Sequence, residues 1–193
     1  MTRRVLGLFG GTFDPPHLGH VAAARAAIED LGLDELLVTV AGEPQGKDAP
    51  PVAPSELRLE MARAAFASVA STTVSDVELR RAGPTFTIDT VESRLSEHPD
   101  ERIFLVVGAD AAAALGSWHR AGDLARLVEV AVVPRPGTLA PVAEGFSFRD
   151  VAMAPGDLSS TAGRAALREG ADATGLVPEA VVHILSTNRM YAP

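Results

Sequence analysis

The stretch GLFGGTFDPPHLGHVAAA, Gly7 to Ala24, decides how the chain folds. The apolar run from Val5 to Phe9 reads as a short buried strand. Val21, Ala24, Ile28 and Leu31 recur at helical spacing and predict a helix. Between them stand Gly10, Gly11, two adjacent prolines, His17 and His20. Glycines permit backbone angles that other residues avoid and let a ligand approach the main chain. A helix amino terminus attracts phosphate through unpaired N–H groups and partial positive charge. His17 and His20, three residues apart, share a face if they lie in the first helical turn. Two imidazoles aimed at one point suit an anion or a metal. Packing at a strand–helix junction would explain a single histidine, but the pair on a glycine turn favours phosphate. The metal reading lacks a third protein ligand, because His98, His119 and His183 lie in unrelated contexts. The turn matches neither the dinucleotide Gly-x-Gly-x-x-Gly pattern nor a Walker loop.

Outward from this turn, the pattern repeats. Leu36–Val40, Thr73–Val77, Ile103–Val107 and Val128–Val133 read as strands, with a weaker one at Phe146–Val151. Helices are predicted from a Ser55 N-cap, over Thr87–Leu95, in the segment after Gly108, from Ser159 or Ser160 to about Arg168, and over Glu179–Leu185. Gly42 to Pro54 is a long Gly- and Pro-rich loop. Strands that are apolar throughout, alternating with helices, point to an α/β, Rossmann-like doubly wound, mostly parallel sheet with helices on both faces. In such sheets, ligands bind at the carboxyl ends of the strands. The glycine turn follows the first strand and lies at that end.

Composition is consistent with this. The chain has 193 residues, 47% of them hydrophobic and 5% aromatic, so Ala, Val and Leu build the core. Its net charge of −8 and the lack of any basic block argue against a nucleic-acid partner. There is no cysteine, which removes disulfides and cysteine-held metals and fits a reducing, cytoplasmic setting. The apolar part of MTRRVLGLFGG is too short for a signal core, and no stretch is long enough to span a membrane.

The string GGTFDPPHLGH, Gly10 to His20, resembles the signature of the HxGH nucleotidyltransferases, which transfer AMP or CMP onto a phosphate. Within that superfamily the whole chain resembles the bacterial nicotinate-nucleotide adenylyltransferases. The segment LSSTAGR, Leu158 to Arg164, is similar to the superfamily's second motif, Ser-Ser-Thr-x-x-Arg. On its own it reads as a serine-capped helix start with an arginine one turn in, a good clamp for phosphate oxygens. It departs from the family at Gly163, where an aliphatic residue is usual.

The resemblance implies one nucleotidyltransferase domain over residues 1–193. Its substrates are ATP and nicotinate mononucleotide, with Mg²⁺ carried on the ATP and no protein metal site. It implies catalytic roles for His17, His20 and Arg164. It places ATP against Gly10, Gly11, Thr12, Phe13, Gly108, Asp110, Ser159, Ser160 and Thr161. For the acceptor it implies Lys47, Arg58, Thr87, Trp118, His119 and Arg135, with Trp118 stacked on the pyridine ring and the main chain at Thr87 and His119 on its carboxylate. Read without the resemblance, Trp118 is a core residue and Asp110 a helix N-cap. Asp14 is expected to brace the turn rather than bind metal. The loop AGEPQGK keeps Lys47 but has Gly46 before it and adds Glu43, where the family has Pro-x-x-x-Pro-Pro-His-Lys. That departure leaves two alternatives: a sibling adenylyltransferase acting on nicotinamide mononucleotide or phosphopantetheine, and a non-catalytic nucleotide-binding paralogue. A homo-oligomer is left open.

Overall fold

The computed structural model describes residues 3–44, 50–137, 143–154, 160–161, 164–165, 169 and 175–188. The chain runs β1 (Val5–Gly11), α1 (Leu18–Leu31), β2 (Glu35–Val40), α2 (Ser55–Phe66), β3 (Thr72–Ser75), α3 (Thr87–Glu97) and β4 (Arg102–Gly108). It continues through α4 (Ala109–Ala113), a 3₁₀ turn (Leu115–Ser117), α5 (Ala121–Leu127), β5 (Val128–Val133) and β6 (Phe148–Asp150). Helix α6 (Glu179–Asn188) follows later in the chain.

Six strands pair in the order β3-β2-β1-β4-β5-β6, and every pairing is parallel. This is the predicted doubly wound sheet, without an antiparallel strand among those described. The register is set at the centre, where Leu8 lies opposite Leu37 on one side and Leu105 on the other. Alternation along the strands divides the core in two. Leu6, Leu8, Ile103, Leu105, Val107, Val128, Val130 and Val132 face one layer with Ile88, Val91, Leu115 and Leu124. Phe9, Leu36, Val38, Val40, Phe104 and Val106 face the other, with α1, α2 and α6 packed through Ala24, Met61, Val181 and their neighbours. Both faces are covered, which is why the strands carry no polar alternation. Strand order reverses between β1 and β4, so a crevice opens beyond their carboxyl ends.

Several boundaries differ from the sequence reading for identifiable reasons. β1 runs on to Gly11, because Gly10 and Gly11 pair with Thr39 and Val40 of β2. β3 stops at Ser75, and the Ser75 hydroxyl then accepts the Val77 N–H at 3.2 Å. Ser55 is the first helical residue rather than the N-cap, a place taken by Pro54. Helix α5 was not expected. It has seven residues and one buried side chain, and its N-cap, Arg120, makes no side-chain capping bond. Among the described residues no helix is long and apolar enough to cross a membrane.

The two glycines of the turn act differently from the sequence expectation. Neither has positive φ; the left-handed residue is Phe13, at φ 49°. Its ring is buried and packs edge-on against Phe9 and Phe66, which holds a conformation that costs on the order of 1 kcal/mol for a non-glycine residue. Gly11 is needed for space, since a Cβ there would lie 2.7 Å from the Phe13 ring. With that ring locked by its neighbours, Gly11→Ala is expected to destabilise the fold by about 1–3 kcal/mol. A urea titration with an unchanged midpoint would refute this account.

Candidate active site

The turn from Thr12 to His17 has no regular hydrogen bonding of its own, and side chains from elsewhere hold it. The Asp14 carboxylate accepts the N–H groups of Val52 and Ala53 at 2.8 and 3.1 Å. The Asp14 carbonyl accepts from Arg164 at 2.7 Å, and the Pro15 carbonyl accepts from the Ser160 hydroxyl at 3.0 Å. Arg164 also donates to the Thr161 hydroxyl at 3.2 Å. The two motifs, far apart in sequence, therefore meet at one turn. Asp14 braces that turn as expected.

His17 is the N-cap of α1 and His20 its third residue. Each ring accepts the other's backbone N–H: His20 N to His17 Nδ1 at 3.3 Å, and His17 N to His20 Nδ1 at 3.1 Å. This is a capping box made of two histidines. The rings stack with centroids 3.6 Å apart and 27° between planes. Because Nδ1 is the acceptor in both, the neutral rings carry their protons on Nε2. In this tautomer each Nε2 is a donor, suited to a phosphate oxygen and unsuited to ligating a metal. Edge contact with Phe13, centroids 5.0 Å apart, further fixes the His20 ring.

The same geometry revises the picture of an open helix end. The Leu18 N–H of α1 is already bonded to the Leu176 carbonyl at 2.9 Å, and the His20 N–H to His17. Two first-turn amides are thus closed by protein.

Around the turn, β4 ends at Gly108, where a Cβ would meet nothing within 4 Å. Asp110, in α4, forms an ion pair with Arg135, just beyond β5. The Arg135 charge also helps to keep His17 neutral. The neighbouring wall starts at Thr87, the first residue of α3, whose N-cap Phe86 supplies no side-chain acceptor. Phe86 stacks on His119 with centroids 4.2 Å apart and 29° between planes. The sequence reading missed Phe86 because an isolated aromatic in a Gly-Pro segment carries no periodic signal. Trp118 is half-buried and packs against the core layer beneath, at the end of the 3₁₀ turn.

The family model described as cytidylyltransferase-like matches residues 8–166. A protein of Exiguobacterium sibiricum named "Probable nicotinate-nucleotide adenylyltransferase" is 36% identical over 97% of this chain and 98% of its own. A protein of the same name from Gemmatimonas aurantiaca is 38% identical over 96% of this chain and 92% of its own. The chain belongs to the nicotinate-nucleotide adenylyltransferase family. Its fold is also that of the Plasmodium falciparum nicotinic acid mononucleotide adenylyltransferase complexed with NaAD, with TM-score 0.81, 16% identity and 97% of each chain covered.

Within this family fold, one expected residue has a different place. Arg58 does not face an acceptor phosphate. It is fully buried, and its guanidinium donates to the carbonyls of Ala53, Thr12, Ala41 and Gly42 at 3.2, 2.9, 2.7 and 3.1 Å. An arginine on this helix is legible in sequence, but its partners are main-chain atoms that only folding gathers. Lys47 and Ser159, and the departures at Gly46 and Gly163, lie outside the described residues.

Two outcomes are expected from this geometry. Arg58→Lys keeps the charge but loses the planar fork and strands buried carbonyls. It should lower unfolding free energy by at least about 3 kcal/mol in urea titrations; a loss below about 1 kcal/mol would contradict the clamp. The second concerns His17, whose pKa is lowered from 6.5 to about 4 by burial first and by Arg135 second. Between those values the unfolded chain takes up a proton that the native state does not, so stability falls as pH falls through this window. His17→Asn keeps a capping acceptor and does not titrate. Relative to that variant, the wild type should lose roughly 3 kcal/mol between pH 7 and pH 4. Parallel pH dependences would show that His17 is not held neutral.

Proposed function

We propose that the chain transfers AMP from ATP, taken as its Mg²⁺ complex, to nicotinate mononucleotide, giving nicotinate adenine dinucleotide and pyrophosphate. One observation carries the reading: the stacked His17–His20 pair, with both Nε2 protons fixed as donors, on a turn that Ser160 and Arg164 also grip. The relatives' names supply the acceptor.

The acceptor phosphate is largely ionised near neutral pH, so its oxygen attacks the α-phosphorus in line without a protein base. The O–P bond to pyrophosphate breaks as the new O–P bond forms, and pyrophosphate leaves as the anion. The protein's task is to position two anions and to stabilise charge on the α-phosphoryl oxygens and the leaving group. His17 and His20 donate from Nε2 to the triphosphate. The main chain at Gly10 and Gly11 meets it at the end of β1, and Arg164 with Thr161 and Ser159 meets the leaving pyrophosphate. Gly108 and Asp110 receive the adenosine. Asp110 must exchange Arg135 for ribose, which releases Arg135 toward the acceptor. Thr87, Trp118, His119 and Lys47 receive the acceptor, with the uncapped start of α3 suited to its ring carboxylate. Mg²⁺ on the triphosphate offsets its charge. The Asp14 oxygens, held by Val52 and Ala53, serve the turn.

Pyrophosphate release in the presence of ATP, Mg²⁺ and each acceptor in turn tests the proposal. Nicotinate mononucleotide is expected to turn over. Turnover only with nicotinamide mononucleotide would select a sibling activity, and ATP binding without turnover would select a nucleotide sensor. His20→Ala should lower turnover by about 100- to 1,000-fold with an unchanged circular dichroism spectrum. Nearly full turnover would remove His20 from the mechanism.

A further inference from the structure

A buried polar cluster lies outside the residues discussed so far. Glu78, between β3 and α3, is 8% exposed. The Thr90 hydroxyl of α3 donates to its Oε1 at 3.4 Å and accepts from Arg81 at 2.6 Å. Arg81 also donates to the Asp89 carbonyl at 3.2 Å. Thr39 of β2 and Thr85, beside Phe86, are 1% and 8% exposed. Their hydroxyls make no hydrogen bond of standard geometry among the described residues, yet both interact with the Glu78 carboxylate. Burial pushes the Glu78 pKa up, while Thr39, Arg81, Thr85 and Thr90 hold it down. On the other side, Gly42 leaves room for the Glu78 main chain, since a Cβ there would lie 3.0 Å from the Glu78 carbonyl and 3.6 Å from Thr85 Cγ2.

A carboxylate is a costly way to fill a core, and an apolar side chain of the same size would pack at less cost. What a carboxylate adds is polarity of one kind. It only accepts: the Thr90 hydroxyl donates to it, and the buried Thr39 and Thr85 hydroxyls, which make no other hydrogen bond among the described residues, can meet it only as donors. The three hydroxyls come from three segments: the end of β2, the irregular stretch before α3, and α3 itself. They frame Thr85-Phe86-Thr87, the backbone that begins α3 and carries the Phe86–His119 stack. No regular structure fixes that stretch, and no side-chain cap holds α3 at Phe86. Glu78 is the group placed to do so.

We propose that Glu78 is a positioning residue for the acceptor, anchoring the Thr85–Thr87 backbone to β2 so that the start of α3 and the Phe86–His119 stack face the pyridine ring. The inference rests on the acceptor being nicotinate mononucleotide. Glu78→Gln keeps size but replaces an acceptor with a donor, which turns at least one threonine hydroxyl away. Steady-state kinetics should show KM for nicotinate mononucleotide rising about tenfold, with KM for ATP and kcat within about twofold of wild type. Thr85→Val, which removes one hydroxyl at constant shape, should raise the same KM alone, and it carries the test if Glu78→Gln does not fold. Unchanged kinetics in the folded variant, equal rises in both KM values, or a fall in kcat alone would overturn the assignment. A wild-type protein inactive on nicotinate mononucleotide would instead overturn the acceptor reading.

Discussion

The structure depends on holding the chain rigid where β1 gives way to α1. A segment with a left-handed phenylalanine and two prolines cannot close its own hydrogen bonds, yet it is buried from Phe13 to His17. The solution is external. Arg58 takes the Thr12 carbonyl, Arg164 that of Asp14, Ser160 that of Pro15, and Asp14 itself takes two amides from the chain before α2. With the turn held from several sides, the histidine pair can be fixed to one tautomer and one stacked geometry. Donors fixed in advance stabilise developing charge without reorganising during the reaction.

The arginines show why charge alone is a poor guide to role. Arg58 is a main-chain clamp in the core, Arg164 joins the two motifs, and Arg135 pairs with Asp110 at the rim of the crevice. Each lies near the same site, and each would be counted as a phosphate ligand from sequence. Burial separates them: the Arg58 guanidinium is taken up by four main-chain carbonyls in the core, whereas Arg135 and Arg164 lie partly exposed.

The doubly wound fold was legible because its strands are apolar throughout and its helices follow the helical period. The histidine turn was legible because glycine, proline and histidine gather there between a buried strand and a helix. Helix α5 was hidden by having a single buried residue, Leu124. The Glu78 cluster was hidden because Thr39, Glu78, Thr85 and Thr90 are ordinary polar residues until three segments fold around one carboxylate. The open amides expected at α1 were an error of context: the sequence does not say that Leu176 comes back to cap Leu18.

By itself the sequence determined the parallel α/β sheet and the place of the glycine–histidine turn at its carboxyl edge. Those are local properties of periodicity, turn chemistry and motif. Only the tertiary structure decided that the imidazoles cap each other and so keep their protons on Nε2, that Gly11 provides room rather than flexibility, and that Arg58 belongs to the backbone. Each of these turns on which atoms come within bonding distance. That is set by packing between segments distant in the chain, and no local pattern encodes it.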